Sequence, residues 1–370
     1  MKFSTSKIEL QKALQKVFKA TPTRSTLPIL NCVLIKTIKT KTILRATDLE
    51  LTIQTEIPVS VEEEGVICLP IKTLLDITNE LPNTRITIFE KNLKTTIQTE
   101  LGKYNLMAKP VEEFPETPQI GEKQKFKISG NSLKNIIKTT FFAISRDELK
   151  PALTGVLFRI KETTIIAVST DGHRLVRHVG ENVIKNKITG DFIAPRKFLN
   201  FLQTQILENN INILLGDNYI AAKIKNDIVI TRLIDERFPD YESVIPKDNN
   251  KTLKVFKNDF LSAIKRVSIF SNKSTHQVAI TLKEKKECKI STEDPEKSSK
   301  AEESVQSEYS GNDLIIGYNA EYLKDIVSHI STEEILINFN TSISAALFSP
   351  NKKEDEIETL MLLMPIRLND

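Results

Sequence analysis

The run Thr170-Asp171-Gly172-His173-Arg174 puts the most chemistry-capable side chains in the shortest stretch of this chain. A histidine beside an aspartate is what general acid–base or nucleophilic catalysis uses, with the carboxylate orienting the imidazole. Neighbours in sequence rarely reach that geometry, however. Asp171-Gly172 closes the apolar run Ile165 to Val168, which is the signature of a turn ending a strand. The turn reading outweighs the catalytic one. The four histidines, His173, His178, His276 and His329, form no H-x-x-x-H pair, and no repeated acidic loop is present. Phosphate-binding glycine loops of either common kind are missing from the sequence as well. No metal and no cofactor is expected, and an enzyme is not the favoured reading.

Elements must position whatever these residues do, and composition bounds them. A chain of 370 residues with 40% apolar content has room for two or three domains with their own cores. Cys32, Cys68 and Cys288 are odd in number and far apart, which suits a reducing cytoplasm better than a disulfide framework. The opening Met1-Lys2-Phe3-Ser4-Thr5 has no signal-like apolar run, and no stretch approaches the 18 apolar residues of a membrane span. A cytoplasmic protein without membrane contact is expected. A net charge of +4 and a pI near 8.7 lean towards an acidic partner without deciding it.

The strongest pattern is a threefold internal repeat. Phe3-Ser4-Thr5-Ser6-Lys7-Ile8-Glu9-Leu10 is echoed at Phe126 to Leu133 and at Leu253 to Phe260. A second segment recurs in step at Leu69 to Leu75, Ala194 to Leu199 and Tyr318 to Leu323. Phe114-Pro115-Glu116 and Phe238-Pro239-Asp240 each precede a polar, proline-containing stretch, giving boundaries near 122 and 247 and domains at 1–122, 123–247 and 248–370. Each repeat then carries two helices: 7–20 and 71–81, 131–140 and 195–208, 258–267 and 319–331. In the first, Leu10, Leu14, Val17 and Phe18 form a buried face, while Lys12, Lys16 and Lys19 line another, and Ser6 with Glu9 makes a capping box. Together the six segments sum to +5, so the rest of the chain nets −1. Positive charge thus sits mainly on helices, where an array facing phosphate needs it, although a solvated face is the simpler reading of any one lysine stripe.

Alternation at Leu51 to Ile57, Arg85 to Ile88, Ile211 to Ile213 and Ser342 to Ala345 predicts half-buried antiparallel strands. The Glu-, Lys- and Ser-rich stretch Ser291 to Ser310 reads as an exposed loop. The class is α+β, with three similar domains.

Four motifs now stand in order within the repeats: Thr26-Leu27-Pro28-Ile29-Leu30, Ser169 to Leu175, Arg237-Phe238-Pro239-Asp240-Tyr241 and Met364-Pro365-Ile366-Arg367-Leu368. Together with the triplication they resemble the bacterial DNA polymerase III beta subunit family, the sliding clamps, over the whole chain. The resemblance implies a head-to-tail homodimeric ring around double-stranded DNA, bound without sequence preference, with helices lining the hole. It also implies a pocket for short linear motifs of the replicative polymerase catalytic subunit, the clamp loader, translesion polymerases and repair proteins. By position that lining resembles Leu153, Thr170, Gly172, His173, Arg174, Leu175, Pro239, Val244, Asn319, Tyr322, Leu362, Leu363, Met364, Pro365, Ile366 and Arg367. Arg174 and His173 are expected to meet polar or backbone groups of the peptide. DNA contacts carry over to Arg24, Lys72, Arg196 and Lys197, with Arg146 and Lys150 in the loop before Pro151. For the dimer, Tyr104 and Leu106 look like the apolar half facing the partner's Ile269 and Phe270, with Lys103 opposite Glu296, Glu302 or Glu303. The chain departs from the family pattern at Asp147, at Lys150-Pro151-Ala152, at Ser243 in place of an arginine, and at the trailing Asn369-Asp370. The alternative from the residues alone is a ring or repeat scaffold that binds only proteins, without encircling DNA.

Overall fold

A computed structural model describes residues 1–121, 124–205, 210–283, 287–351 and 357–368. The boundary at 122, the last residues of the expected helix 195–208 and the terminal Asn369-Asp370 fall outside them. All six helices form: α1 (Lys7–Val17), α2 (Ile71–Glu80), α3 (Gly130–Thr140), α4 (Arg196–Gln203), α5 (Lys257–Ser268) and α6 (Ala320–His329).

Their starts follow from local chemistry. The Ser6 hydroxyl accepts from the Glu9 amide at 3.2 Å, and Ser129 in the second repeat accepts from the Ser132 amide at 3.4 Å. Each satisfies one of the orphan amides of a helix N-terminus. At α6 the Asn319 side chain does the same for Glu321 and Tyr322. Buried Leu10, Ala13, Leu14 and Val17 of α1 recur in α5 as Phe260, Ala263, Ile264 and Val267, the apolar stripe of a surface helix.

The chain divides into two compact units, Met1–Ile128 with Thr204–Leu233, and Ser129–Gln203 with Ile234–Asp370. The first holds α1 and α2, a five-stranded sheet and an eight-stranded sheet; the second holds α3 to α6, a nine-stranded sheet and a four-stranded sheet. All pairings between these strands are antiparallel. Both large sheets are built from two repeats joined edge to edge. In the first unit Leu51–Pro58 of repeat one pairs with Asp227–Arg232, the last strand of repeat two. In the second unit Arg174–Gly180 of repeat two pairs with Ile357–Leu363, the last described strand of repeat three. Thus, at both joints, the fourth strand of one repeat receives the last strand of the next.

Two sequence readings are corrected. Residues 291–310 are not a loop: Cys288–Asp294 and Ser299–Val305 form a hairpin, followed by the strand Ser307–Ser310. Its charges pair across strands, with Lys289 bonded to Glu302 at 2.6 Å, and alternate residues of Ser299–Val305, the last strand of its sheet, are exposed on the face opposite the core that Ala301 and Val305 join. Edge strands are commonly charged, which composition alone mistakes for a loop. Ser342 to Ala345 is not a strand either. The Ser344 hydroxyl accepts from the Thr341 amide at 2.8 Å, closing a turn, and the strand begins at Ala346.

Candidate functional site

At the end of the strand Thr164–Thr170 the backbone reverses through Asp171 and Gly172. One Asp171 carboxylate oxygen accepts from the amides of His173 and Arg174 at 2.9 and 3.0 Å, while the other accepts from Arg174 Nε at 3.0 Å. The Thr170 hydroxyl accepts from the Gly172 amide and donates to the Arg174 carbonyl. Gly172 has φ +91, a conformation that favours glycine. The carboxylate is therefore spent on backbone amides and a guanidinium, and the His173 ring lies against Tyr322 with centroids 5.4 Å apart. An Asp–His catalytic pair is not what this turn builds.

Arg174 differs from the expectation of an open donor. It is buried, and its other nitrogens donate to Asp325 at 2.6 Å and to the Phe142 carbonyl at 3.0 Å. Its guanidinium also lies over the Tyr322 and Phe142 rings, 4.7 and 5.2 Å from their centroids. Arg174 braces the turn, rather than reaching out from it.

Strand register sorts the predicted lining by face. Thr170, Leu175, Leu362 and Leu347 stand opposite one another across four strands, so they share a face. Leu175 and Leu362 join Leu157, Val168, Ile193, Tyr241 and Ala345 in one apolar cluster. Arg174 and Leu363, one residue along, pair on the opposite face, and Leu363 belongs to the core under α5 and α6. Leu363 is thus a core residue rather than an open wall. The chain beyond it is pinned by the Met364 amide donating to the His173 carbonyl and the Ile366 amide to the Gly317 carbonyl, both at 2.9 Å. A Cβ on Gly317 would stand 2.7 Å from the Ile366 oxygen, so only glycine admits that approach. Around the cluster, Leu153 is buried, Asn319, Tyr322, Pro365 and Ile366 are half-buried, and Pro239 and Arg367 are exposed. Val244 and Met364 are 53% and 42% exposed, apolar surface open to solvent. At Ser243 the hydroxyl donates to the Asp240 carbonyl and closes the turn.

Sequence reasoning missed Ala345, a member of the cluster, and Ile343, which is 71% exposed two residues before it. The signal was present: an isoleucine flanked by Thr341, Ser342 and Ser344 is a turn signature.

Among the predicted DNA contacts, Arg24 and Lys72 are exposed in the first unit, Lys72 in the first turn of α2. In the second unit Arg146, Lys150 and Lys197 are exposed. Arg196 is half-buried, with its guanidinium 4.8 Å from the Phe141 ring and donating to the Ile144 carbonyl. Burial, and next the charge of Arg146, hold its pKa below the ordinary value. Two neighbouring guanidiniums form a locus that an anion would relieve. The loop carrying Arg146 and Lys150 is braced by the Leu149 amide donating to the Asp147 carboxylate at 3.0 Å and the Lys150 amide to the Asp147 carbonyl at 3.1 Å.

The residues expected at a dimer contact fall mostly on the sheet-ending strands Lys103–Met107 and Ser299–Val305 or just past α5. Lys103–Met107 is the last strand of the five-stranded sheet, with Tyr104 and Leu106 half-buried on one face and Lys103 exposed on the other. Ile269, just past α5, is 77% exposed, and Phe270 beside it is also exposed. Glu302 and Glu303 are not waiting for Lys103 alone, since Lys289 and Arg266 already pair with them. Glu296 is exposed in the short turn Pro295–Lys297.

The three cysteines are free and buried, and burial pushes the Cys68 and Cys288 thiols up to about 12, so both stay protonated. Among the described residues no group of histidine, cysteine and carboxylate side chains is arranged to hold a metal ion. Among them, too, no helix is long and apolar enough to cross a membrane.

Models of the DNA polymerase III beta subunit match the chain three times: the N-terminal domain at residues 1–118, the central domain at 127–240 and the C-terminal domain at 242–367. The chain belongs to that family. Its members are DNA sliding clamps, non-catalytic processivity factors of replication. The beta sliding clamp of Pseudomonas aeruginosa is 30% identical, with the whole of both chains covered, and that of Bacillus subtilis is 28% identical over 99% of this chain and all of its own. The crystal structure of the Pseudomonas aeruginosa DnaN sliding clamp bound to griselimycin superposes with a TM-score of 0.94 at 30% identity. That of the Bacillus subtilis clamp gives 0.95 at 27%, and each superposition covers all of both chains. The α+β class, the three similar domains and the clamp function expected from the sequence all hold.

Proposed function

We propose that two copies of this clamp close head to tail into a ring around duplex DNA by making, between chains, the joint that each chain makes twice within itself. One observation carries this. Inside the chain, the fourth strand of repeat one takes the last strand of repeat two, and the fourth strand of repeat two takes the last described strand of repeat three. The same rule leaves two edges over: Ser299–Val305, fourth in repeat three, and Lys103–Met107, last in repeat one. Both end their sheets, and open edges of this kind recruit another strand. The exposed Ile269 and Phe270 and the half-buried Tyr104 and Leu106 supply apolar surface, with Lys103, Glu296, Glu302 and Glu303 at the rim.

In this ring Arg24, Lys72, Arg146, Lys150, Arg196 and Lys197 meet DNA phosphates, which carry no sequence information and so permit sliding. The cluster around Leu175 and Leu362, with Val244 and Met364 at its rim, takes the linear motifs of the replicative polymerase, the clamp loader, translesion polymerases and repair proteins. The domains run 1–122, 123–247 and 248–370, and the protein works in the cytoplasm.

Sedimentation of wild type against Ile269→Asp/Phe270→Asp tests the joint. Wild type is expected to sediment as a dimer and the double variant as a folded monomer. A monomeric wild type at micromolar concentration contradicts the proposal.

A further inference from the structure

The geometry points to a binding site for a small organic carboxylate in the cleft where repeats two and three join, a site that involves neither DNA nor the linear-motif cluster. The cleft is a cavity of about 590 Å³ inside the second unit, lined by the strands Arg174–Gly180 and Ile357–Leu363, by α3 and by the end of α6. His178 and Thr359 pair across those two strands, each four residues from the pair Arg174 and Leu363. They therefore share that face and lie on the other side of the sheet from Leu175 and Leu362.

The joint between repeats one and two supplies the comparison. Thr47 stands opposite Thr52 as Thr170 stands opposite Leu175, so Thr55 in repeat one corresponds to His178 in repeat two. Their cross-strand partners, Asp227 and Thr359, then correspond to each other. Ser6 caps α1 as Ser129 caps α3, which makes Lys16 the counterpart of Thr139. At the first joint these three positions satisfy one another. The buried Asp227 carboxylate accepts from Lys16 Nζ at 2.7 Å on one oxygen and from the Thr55 hydroxyl at 2.5 Å on the other.

At the second joint no carboxylate stands in that place. Thr359 ends in a hydroxyl, 2.9 Å from His178 Nδ1. With that hydroxyl donating to Nδ1, the other ring nitrogen of His178 carries the hydrogen, and it has no acceptor among the described residues. Thr139 is 8% exposed and lines the cleft, and its hydroxyl also lacks a partner among the described residues. Two lysines add charge. Lys257 spends one hydrogen on the Ile330 carbonyl at 3.0 Å, while Lys138 is exposed on α3 with no acceptor among the described residues. Glu358 is the one carboxylate among the described lining residues, and Arg177 already pairs with it. The second joint thus offers hydroxyl, ring N–H and ammonium donors, the kinds of group that hold Asp227 at the first, without the anion. A ligand's carboxylate fills that position, and a cavity of this size accommodates its organic body.

Calorimetric titration of the full-length protein at neutral pH tests the site, with succinate, its uncharged diamide succinamide and inorganic phosphate as probes. Wild type is compared with Lys138→Gln and with Thr139→Lys/Thr359→Asp, which copies the ion pair of the first joint into the second. Wild type is expected to bind succinate and not succinamide, and Lys138→Gln to raise the Kd about fivefold. The double variant, shown to be folded by denaturant titration, is expected to bind no succinate. Lys138 is exposed, so its variant decides the matter even where the double variant does not fold. A wild type that fails to bind succinate well above about 1 mM overturns the inference. Equal binding of succinamide, an unchanged Kd in Lys138→Gln, or succinate binding by the folded double variant overturns it as well. Phosphate bound where succinate is not, and lost in the same variants, assigns the cleft to inorganic anions and also overturns it.

Discussion

Arg174 Nη1 donates to the Asp325 carboxylate at 2.6 Å, tying the edge of the strand Arg174–Gly180 to α6. The same guanidinium holds Asp171, the Phe142 carbonyl and two aromatic faces, so one side chain links the turn, α6 and the segment after α3. Arg174→Ala strands Asp171 and a backbone carbonyl, and is expected to cost about 2–4 kcal/mol by denaturant titration. Asp325 is half exposed, so Asp325→Ala should cost only about 1 kcal/mol. Arg174→Lys cannot reproduce the planar fork and should recover little. Equal costs for Arg174→Ala and Asp325→Ala would mean that the ion pair, and not the wider brace, carries the stability.

His178 is buried on the strand Arg174–Gly180 with Nδ1 2.9 Å from the Thr359 hydroxyl, and burial lowers its pKa to about 4. The unfolded chain protonates this ring near 6.5. The stability it contributes is complete above about pH 6.5 and is lost as pH falls towards 4, by about 3 kcal/mol over that window. Between about pH 7 and about pH 5 wild type should lose about 2 kcal/mol more than His178→Gln in urea titrations. Equal losses in the two proteins would show that His178 titrates normally.

Legibility of the fold follows the range of the interactions. Helix starts are readable because Ser6 and Ser129 cap amides three residues away. The hairpin of 288–305 is not, because its Lys and Glu residues resemble a solvated loop until Lys289 finds Glu302 across the strands. For Arg174 the sequence points to the right neighbourhood and the wrong freedom. Its partners Phe142 and Asp325 lie 32 and 151 residues away, beyond the reach of any local pattern. Ile343 defeats a strand reading because alternation over four residues fits a hydroxyl-braced turn equally well.

Val244 and Met364 separate binding from folding, since both are exposed. Val244→Ala/Met364→Ala should change stability by less than about 1 kcal/mol. Affinity for linear-motif peptides of the cognate polymerase, read by fluorescence anisotropy, should fall about tenfold, about 1.4 kcal/mol. Undiminished affinity would remove these residues from the pocket.

The most direct test of encirclement is retention of labelled protein on a nicked circular plasmid after loading by the cognate clamp loader with ATP, followed by a single cut. Retention on the circle and release on linearisation are the predicted result. Protein that stays bound after the cut, or that is never retained on the circle while the same loader places a known clamp there, contradicts a ring closed around DNA.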